Sequence, residues 1–457
     1  MLWRVRQFAL VISACCAAAF VLPRATADSS PRYLATPVDG IELACGGAGA
    51  APHFGRAIAA DGRVLGDAYC NSVAYGSRPF VTPPGGAAVE LQHGTFSYTQ
   101  PAAFLGGTRY LAVADWCPLQ TGTCTTALAI IEGSGAPVVL ASSSTMSSVV
   151  EDANEYGWAV GWGGASSSGA FRVRPDGTLE ALTVPGAWGL SAKAVHPSGT
   201  AVGNAYMSNQ QRAVKWTADG SVSVLPSIES GTASAAHGIA IDGSVVGQCN
   251  GRAVWWFLPT GPSELLPVGS GSVATHLAGN PLAMGPLGIS IFGTLQNGTR
   301  LFRATASGEW QQLSSALADP VLLAVEVIAA PRVDLMLAVG HDTMYQPATL
   351  VWTLADGLRD LGRMVVNRPA SATPLIAVNA NASGLILANV GFNGQPHIVR
   401  RLTDGDVDGD ALVGGADLAR TLSAWGAVPA GTRGEADFDG NGMVDGADLA
   451  IVLVNWN

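Results

Sequence analysis

Through most of the chain, short runs that alternate apolar and polar side chains are separated by turns rich in Gly, Asp and Ser. A period of two predicts half-buried strands. The best copies read AFRVRPDGTLEAL (170–182) and AVKWTADGSVSVL (213–225). Each predicts a strand, an Asp-Gly turn and a second strand ending in Leu, because Asp-Gly tolerates the backbone that tight hairpins need. A Gly followed five residues later by Leu recurs at Gly86/Leu91, Gly135/Leu140, Gly177/Leu182, Gly220/Leu225, Gly261/Leu266 and Gly308/Leu313, and one residue shorter at Gly357/Leu361. The intervals between these glycines are 49, 42, 43, 41, 47 and 49.

A second series interleaves with the first: DGRVLGDAY (61–69), YGWAVGWGG (156–164), SGTAVGNAY (198–206) and DGSVVGQCN (242–250). Phe292-Gly293 and Val339-Gly340 extend it, with degenerate copies near Ala114 and at SGLILANVG (383–391). Each period of about 45 residues thus holds two hairpins, and four short strands in that length are one propeller blade. A small antiparallel sheet cannot bury both faces alone, so blades stack around an axis. The predicted fold is an all-β propeller of eight four-stranded blades, with seven as the alternative count. A parallel β-helix needs shorter rungs, and an open sandwich pair is the other alternative. The fragment YLATPVDGIELA (33–44) reads as an orphan hairpin that completes the last blade.

These units resemble the bacterial extracellular HAF repeats, whose pattern runs turn, G-x-V-V-G, A-F-x-W, D-G and a terminal Leu. The match is best in SGTAVG with RAVKWTADGSVSVL and in DGSVVG with RAVWW, and it covers residues 55–402. The family's His-Ala-Phe is replaced by Gly169-Ala170-Phe171 or by Arg-Ala-Val. The resemblance implies export and repetition and carries no known activity.

The C-terminal tail is written differently. DVDGDALVGGAD (406–417) and DFDGNGMVDGAD (437–448) place acids at every second position in the same register. Calcium takes six to eight oxygens, which one loop can supply from positions 1, 3, 5, 7 and 12 when position 6 turns sharply. In the second copy these are Asp437, Asp439, Asn441, the Met443 carbonyl and Asp448, with Gly442 at the turn and Asp445 acting through water at position 9. In the first they are Asp406, Asp408, Asp410, the Leu412 carbonyl and Asp417, with Ala411 at the turn and Gly414 at position 9. Two calcium ions are therefore expected, the second loop binding more tightly. Leu418, Leu422 and Trp425 fall on one helical face and repeat as Leu449, Leu453 and Trp456, so each loop is expected to feed one short amphipathic helix. Val413 and Val444 are expected to exchange a β-bridge.

A duplicated loop-helix without an entering helix resembles the type I dockerin module over residues 404–457. The resemblance implies a small α-helical, EF-hand-like domain that docks in a calcium-dependent way to a cohesin-like or cell-surface partner. The residues it assigns to that contact are Gly415-Ala416 and Gly446-Ala447, small and alike in both copies, unlike the hydroxyl-rich pairs of cellulosomal members. Two lesser readings are calcium used only to fold the module, and a disordered acidic tail.

Charge and address sharpen this picture. The chain carries a net charge of −10, and from Asp404 onward it holds ten acids against two bases. The Arg residues elsewhere are scattered, which argues against a nucleic-acid partner. MLWRVRQ followed by FALVISACCAAAFVL and Ala25-Thr26-Ala27 reads as a signal peptide over 1–27. An uncleaved anchor and a lipobox at Ile12–Cys15 are the alternatives. The mature chain is expected to be extracellular and to carry no membrane span. The expected domains are 31–402 for the propeller and 404–457 for the calcium module. Cys117 with Cys124, and Cys45 with Cys70, are expected to form disulfides, leaving Cys249 a buried thiol.

No catalytic constellation stands out. The seven His show no metal spacing, and His196 and His237, ahead of repeat turns, read as structural. Asp115, Glu151, Asp152 and Glu155 are the acids that could pair for glycoside hydrolysis. Trp116, Trp158, Trp162, Trp255 and Trp256 could stack on a sugar, though most Trp in such repeats are blade core. Two function classes follow: an exported non-catalytic propeller that binds a glycan or protein, or a carbohydrate-active hydrolase or lyase docked on a scaffold.

Overall fold

The structure is a computed structural model. It describes residues 31–41, 50–70, 76–84, 86–92, 98–116, 125–133, 135–143, 148–163, 169–257, 263–279, 289–295, 298–305, 308–313, 324–341, 347–366, 373–391, 394–429 and 434–457. The expected signal segment, Cys45, Cys117 and Cys124 lie outside the described residues. Both expected disulfides are therefore outside it too. Cys249 is a free, buried thiol, as expected. No helix among the described residues is long and apolar enough to cross a membrane.

Six sheets have four antiparallel strands, and a seventh has eight. The large sheet is two blades, 50–90 and 98–143, joined edge to edge through one parallel pair, Ser77 with Tyr98. The count is therefore eight blades. The others span 149–182, 189–224, 234–270, 273–313, 324–360 and 375–402. The first strand of each blade touches the first strand of the next, and Leu375–Ala380 in turn touches Ala50–Ile58. First strands are thus innermost and the ring is closed.

The last blade uses Leu375–Ala380, Ile386–Val390 and Pro396–Leu402, and its outer place is taken by Arg32–Pro37. One strand closes the ring, not the expected hairpin over 33–44. The pattern hid Pro396–Leu402 as a third strand because Arg400 and Arg401 interrupt its alternation. Only one place remained to fill.

The core lies between blades. One cluster joins Val202, Ala213 and Leu225 of one blade to Ala236, Val254 and Trp256 of the next. The indole N–H of Trp256 donates to Pro226 O at 2.8 Å, and that of Trp216 to Thr183 O at 3.0 Å. The repeated Trp and terminal Leu are thus a packed pair at a blade junction, where removing a Trp side chain costs roughly 3–5 kcal/mol. The Asp of the Asp-Gly turns caps its own turn: Asp219 accepts from Ser221 N at 3.0 Å, and Gly220 takes φ 90°.

One feature recurs in all eight innermost strands. The register slips by one residue, leaving a bulge at Arg56, Ala102, Glu151 and Lys193. The next four blades bulge at His237, Thr275, Ile328 and Val378. The residue before each bulge pairs with Gly66, Ala112, Gly161, Gly203, Gly247, Gly293, Ala338 or Ala388 on the second strand. That explains the repeated Gly of the second series. A Cβ on Gly203 would stand 2.0 Å from Ser191 O, and on Gly247 1.9 Å from Ala235 O. The same crowding corrects two alignments: the true equivalents are Ala338, not Gly340, and Ala112, not Ala114. Backbone N–H groups freed beside the bulges are taken by the preceding blade, Ala236 N by Asn204 Oδ1 at 3.0 Å and Gly55 N by Asn389 Oδ1 at 2.9 Å.

The chain separates into two compact units: Ala35–Arg363 with Ala372–Arg401, and a smaller one described at 31–34, 364–366 and 402–457. In the smaller unit, helices Gly415–Ser423 and Gly446–Val454 follow the two acidic loops. Its core is Val407, Val413, Ala436, Phe438, Val444 and Val452.

Gly203→Ala is expected to lower stability by about 1–3 kcal/mol, the usual range for over-packing, read as a fall in melting temperature. Ala388→Gly, which removes only a methyl, is expected to cost less. Equal effects would contradict the crowding argument.

Candidate functional site

The two acidic loops share one backbone design. In the first, Asp417 Oδ1 accepts from Val407 N at 2.7 Å and Asp408 N at 3.2 Å, while its Oδ2 accepts from Gly414 N at 2.8 Å. In the second, Asp448 Oδ1 accepts from Phe438 N at 2.6 Å and Asp439 N at 3.4 Å, and its Oδ2 from Asp445 N at 2.9 Å. The last acid of each loop therefore ties the loop's start to the helix start. Short bonds set the middle: Leu412 N to Asp410 Oδ1 at 2.8 Å, and Met443 N to Asn441 Oδ1 at 2.7 Å.

Carboxylate oxygens of Asp406, Asp408 and Asp410 lie within 4.8 Å of one another, as do those of Asp437, Asp439 and Asp448. Asp417 stands outside the first trio. Asp445 stands outside the second: its Oδ1 accepts from Ala447 N at 2.8 Å and caps the helix Gly446–Val454. Position 9 is thus a helix cap, and Gly414 leaves the first helix without one. Ala411 holds φ 72°, a left-handed backbone that L side chains rarely adopt, where Gly442 holds 84°.

Electrostatics test whether a cation fits. Asp437 Oδ1 is buried and has no hydrogen-bond partner. Burial raises the Asp437 carboxyl above its usual value, and the charges of Asp448 and Asp439 add to it against the Gly442 N–H. Burial also pulls Asp417 upward, but the N–H groups of Gly414, Val407 and Asp408 outweigh it and hold that carboxyl low. A hard divalent cation matches the second loop's donor set, because it neutralises three crowded carboxylates and takes up the orphaned oxygen.

The expected Val413–Val444 bridge does not form. Val444 pairs with Gly426 and Met443 with Ala427, while Val413 O accepts from Asn457 N at 3.0 Å. Each loop pairs with the segment after the other copy's helix, which interlocks the duplicates. The apolar repeat positions are not the buried side of the helices. Asp417, Thr421, Asp448 and Val452 point inward, with Leu418 and Leu449 half-buried. Leu422 and Trp425 are each 51% exposed, and Leu453 and Trp456 54% and 46%. The position-12 acid must face its loop, and that sets the helix rotation. Gly415, Ala416, Gly446 and Ala447 are exposed on the first turns.

A second place gathers polar groups. The innermost strands line an axial channel, and a cavity of about 910 Å³ opens into it beside Ala57, Ala102, Glu151, Asn154, Tyr156 and Asn379. Lys193 Nζ meets Glu151 Oε1 at 2.6 Å, and Arg56 Nε meets Asp67 Oδ1 at 2.6 Å. Asp152 accepts from Val195 N at 2.8 Å, and burial lifts its carboxyl to about 6. Glu155 is exposed. Burial pushes His237 and His276 down to about 4, the Lys193 charge adding to the first and His237 to the second.

Three of the four candidate acids, Glu151, Asp152 and Glu155, line this one cavity, and Asp115 does not. Glu151 and Asp152 are committed to neighbours, Glu155 stands in solvent, and Asp115 pairs on the strand Arg109–Trp116. His196 is structural, its Nε2 bonded to Ile241 O of the next blade at 2.8 Å. His237 is not its counterpart: it occupies a bulge on the channel. Trp255 and Trp256 are core, and Trp158 stacks with Arg172. The most exposed aromatics among the described residues are Trp188, 5.1 Å from Tyr206, and Tyr156. Neither Trp188 nor the bulge ring was visible in the sequence, although bulge intervals near 45 residues echo the repeat.

No family model matches the chain, and no curated protein matches it. Among solved structures it is similar to virginiamycin B lyase from Staphylococcus aureus, at 10% identity and a TM-score of 0.40, covering 81% of this chain and 100% of that one. It is similar to puromycin hydrolase at 15% and 0.39, covering 79% and 61%. A prolyl endopeptidase gives 13% and 0.42, covering 66% and 50%.

Two predictions follow from these groups. Ala411→Gly is expected to relieve the strained turn and tighten metal binding in the first loop by about 1 kcal/mol, read by calorimetry; unchanged affinity would mean the strain is not felt. The folded imidazoles stay neutral where unfolded ones take protons, so their stability is complete above about pH 6.5 and is lost as pH falls toward 4. Asp152 acts oppositely, gaining a proton in the folded state below about pH 6. Two histidines against one aspartate leave a net loss on acidification. His237→Gln is expected to flatten the fall of melting temperature between pH 6.5 and 4.

Proposed function

We propose that this is an exported, non-catalytic propeller carrying a calcium-folded docking module of the dockerin type. The observation that carries the reading is the buried, unpartnered Oδ1 of Asp437 beside Asp439 and Asp448, in a loop whose bonding is repeated 31 residues earlier. Asp437, Asp439, Asn441, Asp448 and the Met443 carbonyl would hold one calcium ion. Asp406, Asp408, Asp410 and the Leu412 carbonyl, stiffened by Asp417, would hold a second more weakly. The ion supplies charge neutralisation, and it converts a self-repelling tail into a folded unit.

Docking uses what the helices leave outside. Leu422, Trp425, Leu453 and Trp456, with the small residues Gly415, Ala416, Gly446 and Ala447, give each helix an apolar exposed strip over a flat first turn. Such a strip suits an apolar cleft on a cohesin-like or cell-surface protein. The docked-enzyme alternative draws less support, since Glu151 is paired with Lys193 and Asp152 accepts a backbone N–H.

Calorimetric titration of the whole protein with Ca²⁺ is expected to give two binding events, with Asp437→Asn removing the tighter one. Retention on an immobilised type I cohesin domain is expected to be lost in EDTA and in Leu453→Ser. Absence of any calcium heat would overturn the metal reading. Calcium binding without retention would leave the metal a folding role only.

A further inference from the structure

We propose that the polar arc of the axial channel, Glu151, Lys193, His237 and Thr275, binds a neutral, hydroxyl-rich sugar. These residues occupy the bulges of four successive blades, and a bulge re-aims its side chain out of the pleat. Each is at least partly exposed, while most neighbours before and after them on the same strand are buried. Across the axis the bulges carry Ile328, Val378, Arg56 and Ala102, and the guanidinium of Arg56 is held by Asp67. One wall of the channel is therefore polar throughout, and the other is aliphatic except for that paired Arg56.

Charge narrows the ligand. Lys193 and Glu151 neutralise each other at 2.6 Å, and Arg56 is neutralised by Asp67. The arc thus has no net charge, yet it offers donors and acceptors side by side: an ammonium, a carboxylate, a hydroxyl and an imidazole. An anionic or cationic ligand would have to break the ion pair and leave one of its charges without its partner. A hydroxyl both donates and accepts, so it fits between these groups without breaking any. His237 supports the same reading, because its Nε2 is buried and has no hydrogen-bond partner, and such an atom asks for one. Glu151 joins the arc to the cavity of about 910 Å³, which has the size of small-molecule sites and room for a short oligosaccharide. Small residues make that room, Ala57, Ala59, Ala60, Ala102 and Ala103 among them. Tyr156, 58% exposed at its rim, offers a ring for a sugar face.

The proposal rests on the non-catalytic reading of the propeller and shares no residue with the metal loops. The test is calorimetry of the whole protein in EDTA against cellotetraose, xylotetraose and mannotetraose, with trigalacturonate and chitotriosamine as charged counter-probes. At least one neutral sugar is expected to bind, at least tenfold tighter than either charged probe. His237→Ala and Thr275→Val are each expected to weaken it at least tenfold with the melting temperature retained. Glu151→Gln, which frees the Lys193 charge, is expected to shift preference toward trigalacturonate. No neutral binding at millimolar sugar, equal binding of charged probes, or unchanged affinity in both His237→Ala and Thr275→Val would overturn the proposal. Release of reducing ends during titration would support the arc as a sugar site and overturn the non-catalytic reading.

Discussion

The carbonyl oxygen of Ser191 sits where a methyl on Gly203 would have to be, and the near-contact recurs beside Gly66, Gly161, Gly247 and Gly293. Its cause is the bulge two residues after each crowding carbonyl. An extra residue on the innermost strand tightens its twist and presses the backbone on its neighbour. The second strand must then be nearly bare, and three blades meet that demand with Ala112, Ala338 and Ala388, all buried. So the ring's inner wall is held by a steric rule that has nothing to do with hydrophobicity. The freed N–H groups, captured by Asn204, Asn389 and Thr349, turn the same irregularity into a bond between blades.

The periodic parts of this design were legible. Apolar alternation, Asp-Gly turns and the Trp–Leu pair are each imposed at the same place in every repeat, so they beat out a period that reading can find. The bulge residues were not. Arg56, Ala102, Glu151, Lys193, His237, Thr275, Ile328 and Val378 share a position but no chemistry, because the position demands only that the side chain leave the pleat. A pattern search sees noise where the structure sees a ring. The closing strand failed for a related reason. Arg32–Pro37 pairs with a strand more than 350 residues away, and nothing local marks it.

The acidic tail was legible in its alternating acids, but not in the way its helices turn. Acids at alternate positions are a local rule, and the loops obey it. Helix rotation is not local: Asp417 and Asp448 must turn back to hold the loop start, and this swings Leu422, Trp425, Leu453 and Trp456 outward. Amphipathic spacing alone assigns such residues to a core. In a unit this small, the core is made by Val407, Phe438, Val444 and Val452 from loops and helices together, and the apolar helix strips are left over.

The two halves of the chemistry also respond to different variables. Most of the acidic excess lies in the tail, where ten acids meet two bases, whereas two of the channel's bulge cations, Arg56 and Lys193, are each matched by a carboxylate. Attraction to a divalent ion therefore belongs to the tail, and salt screens it. Recognition in the channel depends on hydrogen bonds within a walled space, which salt affects little. With a tail that docks and a channel that binds sugar, as proposed, attachment would vary with divalent ions while the binding surface kept one specificity.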